Sequence, residues 1–150
     1  MESYPYLIWI LTNSVAPSSQ KVKDIYAELL KNFYQKGKLE DKCLTVVAIG
    51  NLKSIKNQKM LIDDFHKMNK KQCIAISQKN KGADDFILSR PGLFQVKILD
   101  AMNKIEDLSY ETRMFLYKLT DRKNKKVNYK VRVRAQEVYN RLEEIYKNKK

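Results

Sequence analysis

Three short apolar runs most constrain what this chain can fold into. Residues 6–11, 44–50 and 72–77 are rich in β-branched or aromatic side chains, and polar residues or glycine bound them. An apolar run of that length is the pattern of a strand covered on both faces. Helical spacing fills the intervals. Pro17, Ser18 and Ser19 supply a helix start, Val22, Ile25, Leu29 and Phe33 recur every three or four residues with Tyr26 and Leu30 beside them, and Gly37 supplies a stop. A second helix over about residues 57–68 turns Leu61, Phe65 and Met68 inward and Lys59, Asp63 and Lys67 outward. The alternation predicts an α/β fold: an N-terminal βαβαβ unit with a mainly parallel sheet, then helices and a basic C-terminal strand or helix segment. Polar residues just past the strand ends, at 12–14, Asn51, Ser77, Gln78 and Asn80, would line its crevice.

The remainder reads as helices with one ambiguous stretch. Asp84 and Asp85 suit a helix's first turn before Arg90-Pro91-Gly92 breaks the chain. Phe94, Ile98, Ala101, Met102 and Ile105 predict a helix over 93–105. Ser109 would cap another towards Leu119, or Phe115, Tyr117 and Leu119 would pair as a hairpin with the basic run. Within residues 125–134, Val127, Tyr129, Val131 and Val133 alternate with Asn128, Lys130, Arg132 and Arg134. Alternation and β-branching favour a strand with one apolar and one cationic face, ending near Arg134. The alternative is a helix start, because Val131 also continues the stripe of Ala135, Val138, Leu142 and Ile145. The chain is expected to form a single domain over 1–150, with residues 121–150 as its basic region.

Charge narrows the function. The net charge is +13, and residues 113–150 hold 13 Lys or Arg against 4 Asp or Glu. Such asymmetry points to a polyanionic partner. The expected function is non-catalytic binding of nucleic acid, RNA favoured, through phosphate contacts from Arg122, Lys123, Lys125, Lys126, Lys130, Arg132, Arg134 and Arg141. Tyr110, Tyr117, Tyr139 and Tyr146 could offer rings to unpaired bases, whereas alternation places Tyr129 with the packed valines. An interaction module for an acidic protein is the competing non-catalytic reading. No base-reading motif is present, so nothing predicts sequence specificity.

A second constellation is acidic. Lys81-Gly82-Ala83-Asp84-Asp85-Phe86, after the third expected strand, resembles the Lys-Gly-x-Asp segment of NYN and PIN-like ribonuclease domains. The resemblance, over residues 5–90 at most, implies a metal-dependent endoribonuclease in which Asp84 or Asp85 helps to hold Mg²⁺ or Mn²⁺ that activates water. The chain departs from the family at the end of the first strand, where Thr12-Asn13-Ser14 stands in place of an aspartate. That implies an inactive relative that keeps the shape and binds RNA, with no cofactor. Cys43, Cys73 and the single histidine, His66, form no zinc pattern. Two scattered cysteines and no leader-like start suit a reduced intracellular setting, cytoplasmic or nuclear. No run is long enough to span a bilayer.

Overall fold

The computed structural model describes residues 17–73, 92–105 and 108–148. Six α-helices carry these residues, and their only sheet is a two-stranded antiparallel ladder. The helices are α1 (Gln20–Lys36), α2 (Leu39–Leu52), α3 (Gln58–Phe65), α4 (Phe94–Lys104), α5 (Tyr110–Leu119) and α6 (Tyr129–Asn148). Single 3₁₀ turns, Ile55–Asn57 and His66–Met68, flank α3, and β1 (Gln72–Cys73) pairs with β2 (Gly92–Leu93). The expected parallel βαβαβ architecture is therefore wrong. The first expected strand, most of the third and the Asp84-Asp85 segment lie outside the described residues.

The correction turns on residues 44–50, which form the interior of α2. A continuous apolar run suits a buried helix as well as a buried strand, and length decides between them. Here the run is the C-terminal part of a 14-residue helix whose first turn carries Glu40, Asp41 and Lys42. Asp41 starts the helix by accepting the Lys38 amide through Oδ2 at 3.1 Å, and Lys53 ends it in the left-handed region at φ 59°. Cys43, Val46, Ala48, Ile49 and Leu52 are all buried. The helix packs on α1 on one side and on α4 on another. An apolar surface all round is what a central helix needs.

Gly50 makes this packing possible. A Cβ at that position would lie 2.8 Å from the Ala101 Cα and 3.1 Å from its Cβ, so α2 and α4 meet at a glycine–alanine contact. α4 in turn packs against α6, and α5 closes the far side against α6. The first helix starts and stops where the sequence predicts: Ser19 Oγ accepts the Val22 amide, and the Gly37 amide returns to the Phe33 carbonyl. Its buried stripe, however, is Ala27, Leu30, Phe33 and Tyr34, while Ile25 and Leu29 face solvent. The two-residue link through Gly37 and Lys38 folds α2 back along α1.

Residues 125–134 resolve as a helix start, not a strand. Asn128 caps α6: its Oδ1 accepts the Lys130 amide at 2.8 Å and its carbonyl accepts the Arg132 amide at 2.9 Å. Val127, Val131, Ala135, Val138 and Leu142 form one buried stripe. Of the four alternating apolar residues, only Val127 and Val131 are inside; Tyr129 is 69% and Val133 is 38% exposed. Helical spacing wins because its stripe continues for three further turns, and alternation ends at Val133.

The two cysteines, expected as separate thiols, are bonded: Cys43 in α2 and Cys73 in β1 have Cα atoms 5.9 Å apart and close a loop of 30 residues. No helix among the described residues is long and apolar enough to cross a membrane.

Three stability outcomes follow from this packing. Val131→Ala should destabilise the fold by about 2 kcal/mol through lost burial and a residual cavity. Val133→Ala should stay within about 0.5 kcal/mol, a contrast that urea titration can read and that a strand with both valines inward would abolish. Gly50→Ala should lower stability by about 1–3 kcal/mol, because the atom it meets is backbone; helix propensity alone predicts a gain of about 1 kcal/mol. Cys43→Ala/Cys73→Ala should lose about 3–4 kcal/mol on the loop-closure estimate, and an unchanged denaturation midpoint would show that the bridge carries no stability.

Candidate functional site

The loop between α5 and α6 is built from three short polar turns. Asp121 Oδ1 accepts the Lys123 amide at 2.9 Å, Asn124 Oδ1 accepts the Lys126 amide at 3.1 Å, and Asn128 repeats the pattern at the helix start. Asp and Asn side chains fold the backbone in this way because they accept from the amide two residues on. Val127 plugs the loop into the core, while Arg122, Lys123, Lys125, Lys126 and Lys130 all stand in solvent. None of these five makes an ion pair among the described residues. Asp121 is the single carboxylate between positions 121 and 130.

This arrangement opposes what a helix start prefers. The positive end of the α6 dipole favours acidic residues in the first turn, but none is there, and Lys130 and Arg132 follow immediately. The loop and the dipole therefore raise positive potential at one place. A local preference broken without a compensating contact marks a surface shaped by something besides stability.

The eight predicted phosphate ligands do not act as one group. On a helix, Lys130 and Arg134 share a flank, whereas Arg132 points away by about 200°. The one-sided ladder expected of a strand is absent. Arg134 braces α6 on α4: its Nε donates to Asp100 Oδ1 at 2.6 Å and its Nη1 to Glu137 Oε2 at 2.9 Å. Burial pulls its pKa down, but the bonds to Asp100 and Glu137 outweigh that and raise it. Arg141 also binds α4, donating to the backbone carbonyl and the side-chain oxygen of Asn103. The other six, Arg122, Lys123, Lys125, Lys126, Lys130 and Arg132, make no ion pair among the described residues.

Aromatic rings continue the surface away from the loop. Tyr129, expected among packed valines, is one of the most exposed large side chains, with the Arg132 guanidinium 5.6 Å from its ring centroid. Arg132 and Tyr139, seven residues apart, share the flank of α6 that faces α5. Tyr139 meets Tyr117 of α5 at 5.7 Å, and Arg113 lies 4.6 Å from the Tyr146 ring and 5.9 Å from the Tyr110 ring. These pairings run in opposite order along the two helices, so α5 and α6 are antiparallel. Tyr110 and Tyr117 are 70% and 55% exposed, while Tyr139 and Tyr146 lie half-buried beneath them. From Tyr129 to Tyr146 the seam extends about 25 Å at the rise of an α-helix.

The seam also carries a negative group. Burial first, and Glu143 second, raise the Tyr139 pKa. Glu143 thus interrupts the positive surface towards its Tyr146 end, and the strongest field lies at the loop end. Arg113, absent from the sequence-derived set, has a buried Nε without a hydrogen-bond partner among the described residues. Its spacing from Tyr110 and Tyr117, three and four residues, was the available signal.

Asp84 and Asp85, the alternative catalytic and metal-binding pair, lie outside the described residues. Among those described, no group of three or more His, Cys, Asp or Glu is placed to hold a metal ion. The parallel sheet on which the ribonuclease resemblance relied is overturned by the helical identity of residues 44–50. His66 packs edge-on against Phe65 at 5.3 Å, with no catalytic partner among the described residues. No family model matches the chain, and no curated protein or solved structure is similar enough to count as a match.

Proposed function

We propose that this chain binds single-stranded nucleic acid without cleaving it. The carrying observation is the 69%-exposed Tyr129 ring among the loop cations, at the head of the tyrosine and arginine seam. Unpaired strands offer both phosphates and open base faces, and a cationic track beside aromatic platforms meets both needs. A duplex would present phosphates alone to this surface, its bases being stacked within the helix. An acidic protein would satisfy the lysines but would leave the row of rings unused.

Phosphate contacts from the six available cations should make affinity fall with salt at a log-log slope of about −4 for single strands. Lys125→Ala/Lys126→Ala/Lys130→Ala should flatten that slope by about 2. Tyr129→Ala should weaken binding of single-stranded RNA or DNA by about fivefold to a hundredfold, with little change in the slope. Arg134→Ala should reduce stability while leaving the slope unchanged. Fluorescence anisotropy across a salt series checks the four binding outcomes and urea titration the stability of Arg134→Ala; equal affinity for duplex and single strand, or a Tyr129→Ala variant that binds normally, would refute the stacking assignment.

A further inference from the structure

The helices pair in chain order, α1 with α2, α3 with α4 and α5 with α6, and α2, α4 and α6 pack on one another in sequence. Such a stack covers each pair with the next and leaves its first pair with one face open. Open end faces are polar when water covers them. The open face of the first pair is not.

On α1, Asp24 looks towards the rest of the stack, because its carboxylate pairs with Lys56 of the turn before α3 at 3.4 Å. Ile25 and Leu29 lie about 100° and 140° round the helix from it. Both face solvent, at 52% and 39% exposure, and Val22 joins them one turn earlier, half-buried. On α2, Gly50 marks the side that meets α4. Val47 and Leu44 are turned from it by about 60° and 120°, and both are only half-buried. Because α2 folds back along α1, the two flanks form one apolar strip. Among the described elements, α1 packs chiefly on α2 and on the turn Ile55–Asn57, and the strip lies away from that turn.

The chain holds a segment suited to cover it. Residues 6–11, Tyr-Leu-Ile-Trp-Ile-Leu, are apolar without interruption, and residues 3–19 carry no charge. The link of residues 12–19 can span about 26 Å when extended, whereas Gln20 to Leu29 measures about 14 Å along α1. The apolar run therefore reaches the whole strip. A second copy fits it worse. Lys21 and Lys36 stand at the two ends of α1, so two chains of net charge +13 would set lysine against lysine in either direction.

We propose that residues 6–11 dock on the open face of α1 and α2, with Ile25 and Leu29 at the centre of the contact, and so close the first end of the stack. The contact involves neither the polar loop nor the tyrosine seam and does not depend on the nucleic-acid reading.

Trp9 is the single tryptophan of the chain, so its fluorescence reads the contact directly. In the full chain its emission is expected at short wavelength, with weak quenching by acrylamide. Ile25→Asp/Leu29→Asp should move the emission to the red and raise the quenching towards the value in denaturant. Circular dichroism should keep its helical signal, because both substitutions fall on a solvent-facing flank. Val133→Asp, on the exposed side of α6, should leave Trp9 as it is in the parent chain. The proposal is overturned if Trp9 of the folded parent is quenched as readily as in denaturant, or if the double variant leaves it shielded. It is equally overturned if Val133→Asp exposes Trp9 to the same extent, or if the shielding is lost on dilution as a dimer dissociates.

Discussion

The contact of Gly50 with Ala101 is the constraint from which the rest of the structure is arranged. Helices usually stand 8–10 Å apart, with the distance set by the side chains between them. A glycine facing an alanine brings α2 and α4 to the short end of that range. α2 is apolar in nearly every direction, so close wrapping by α1 and α4 covers surface that an amphipathic helix would leave to water. α4 thereby becomes the platform for α6, and Arg134 and Arg141 tie α6 to it through Asp100 and Asn103. The tyrosines of the seam stand at the end of that chain of contacts.

The positions of several helices were legible in the sequence, but the parallel α/β architecture expected from it was wrong, and the failures share one cause. α1, α4 and α5 begin and end near their predicted positions; Ser19 and Ser109 both cap through their hydroxyls. Residues 44–50 misled because an element covered on all sides shows no periodicity, leaving β-branching as the only local guide. In residues 125–134 two patterns coexist. Valines alternate over seven residues, but the four-residue step from Val127 to Val131 to Ala135 is the one that reaches the core. Tertiary burial outweighed intrinsic preference in both places.

The candidate site was legible as charge and not as geometry. Composition located the basic region, yet it could not distinguish lysines left in solvent from arginines that brace helices. Arg134 and Arg141 belong to the scaffold, and the cations of the polar loop do not. Tyr129 moved from core to surface with the change from strand to helix.

One oxygen has an outsized effect on how the seam behaves. Gln58 Oε1, at the start of α3, accepts the Ser109 amide and hydroxyl at 3.2 Å each and the Thr112 hydroxyl at 2.6 Å. Apolar contacts alone would let α5 slide along its neighbours at modest expense, since one greasy register resembles the next. A shift of one helical turn here would break the buried bond from Thr112 and the two part-buried bonds from Ser109. The rotational and axial position of α5 is thus keyed by directional bonds on the side opposite its rings, and the fold itself fixes where Tyr110 and Tyr117 stand.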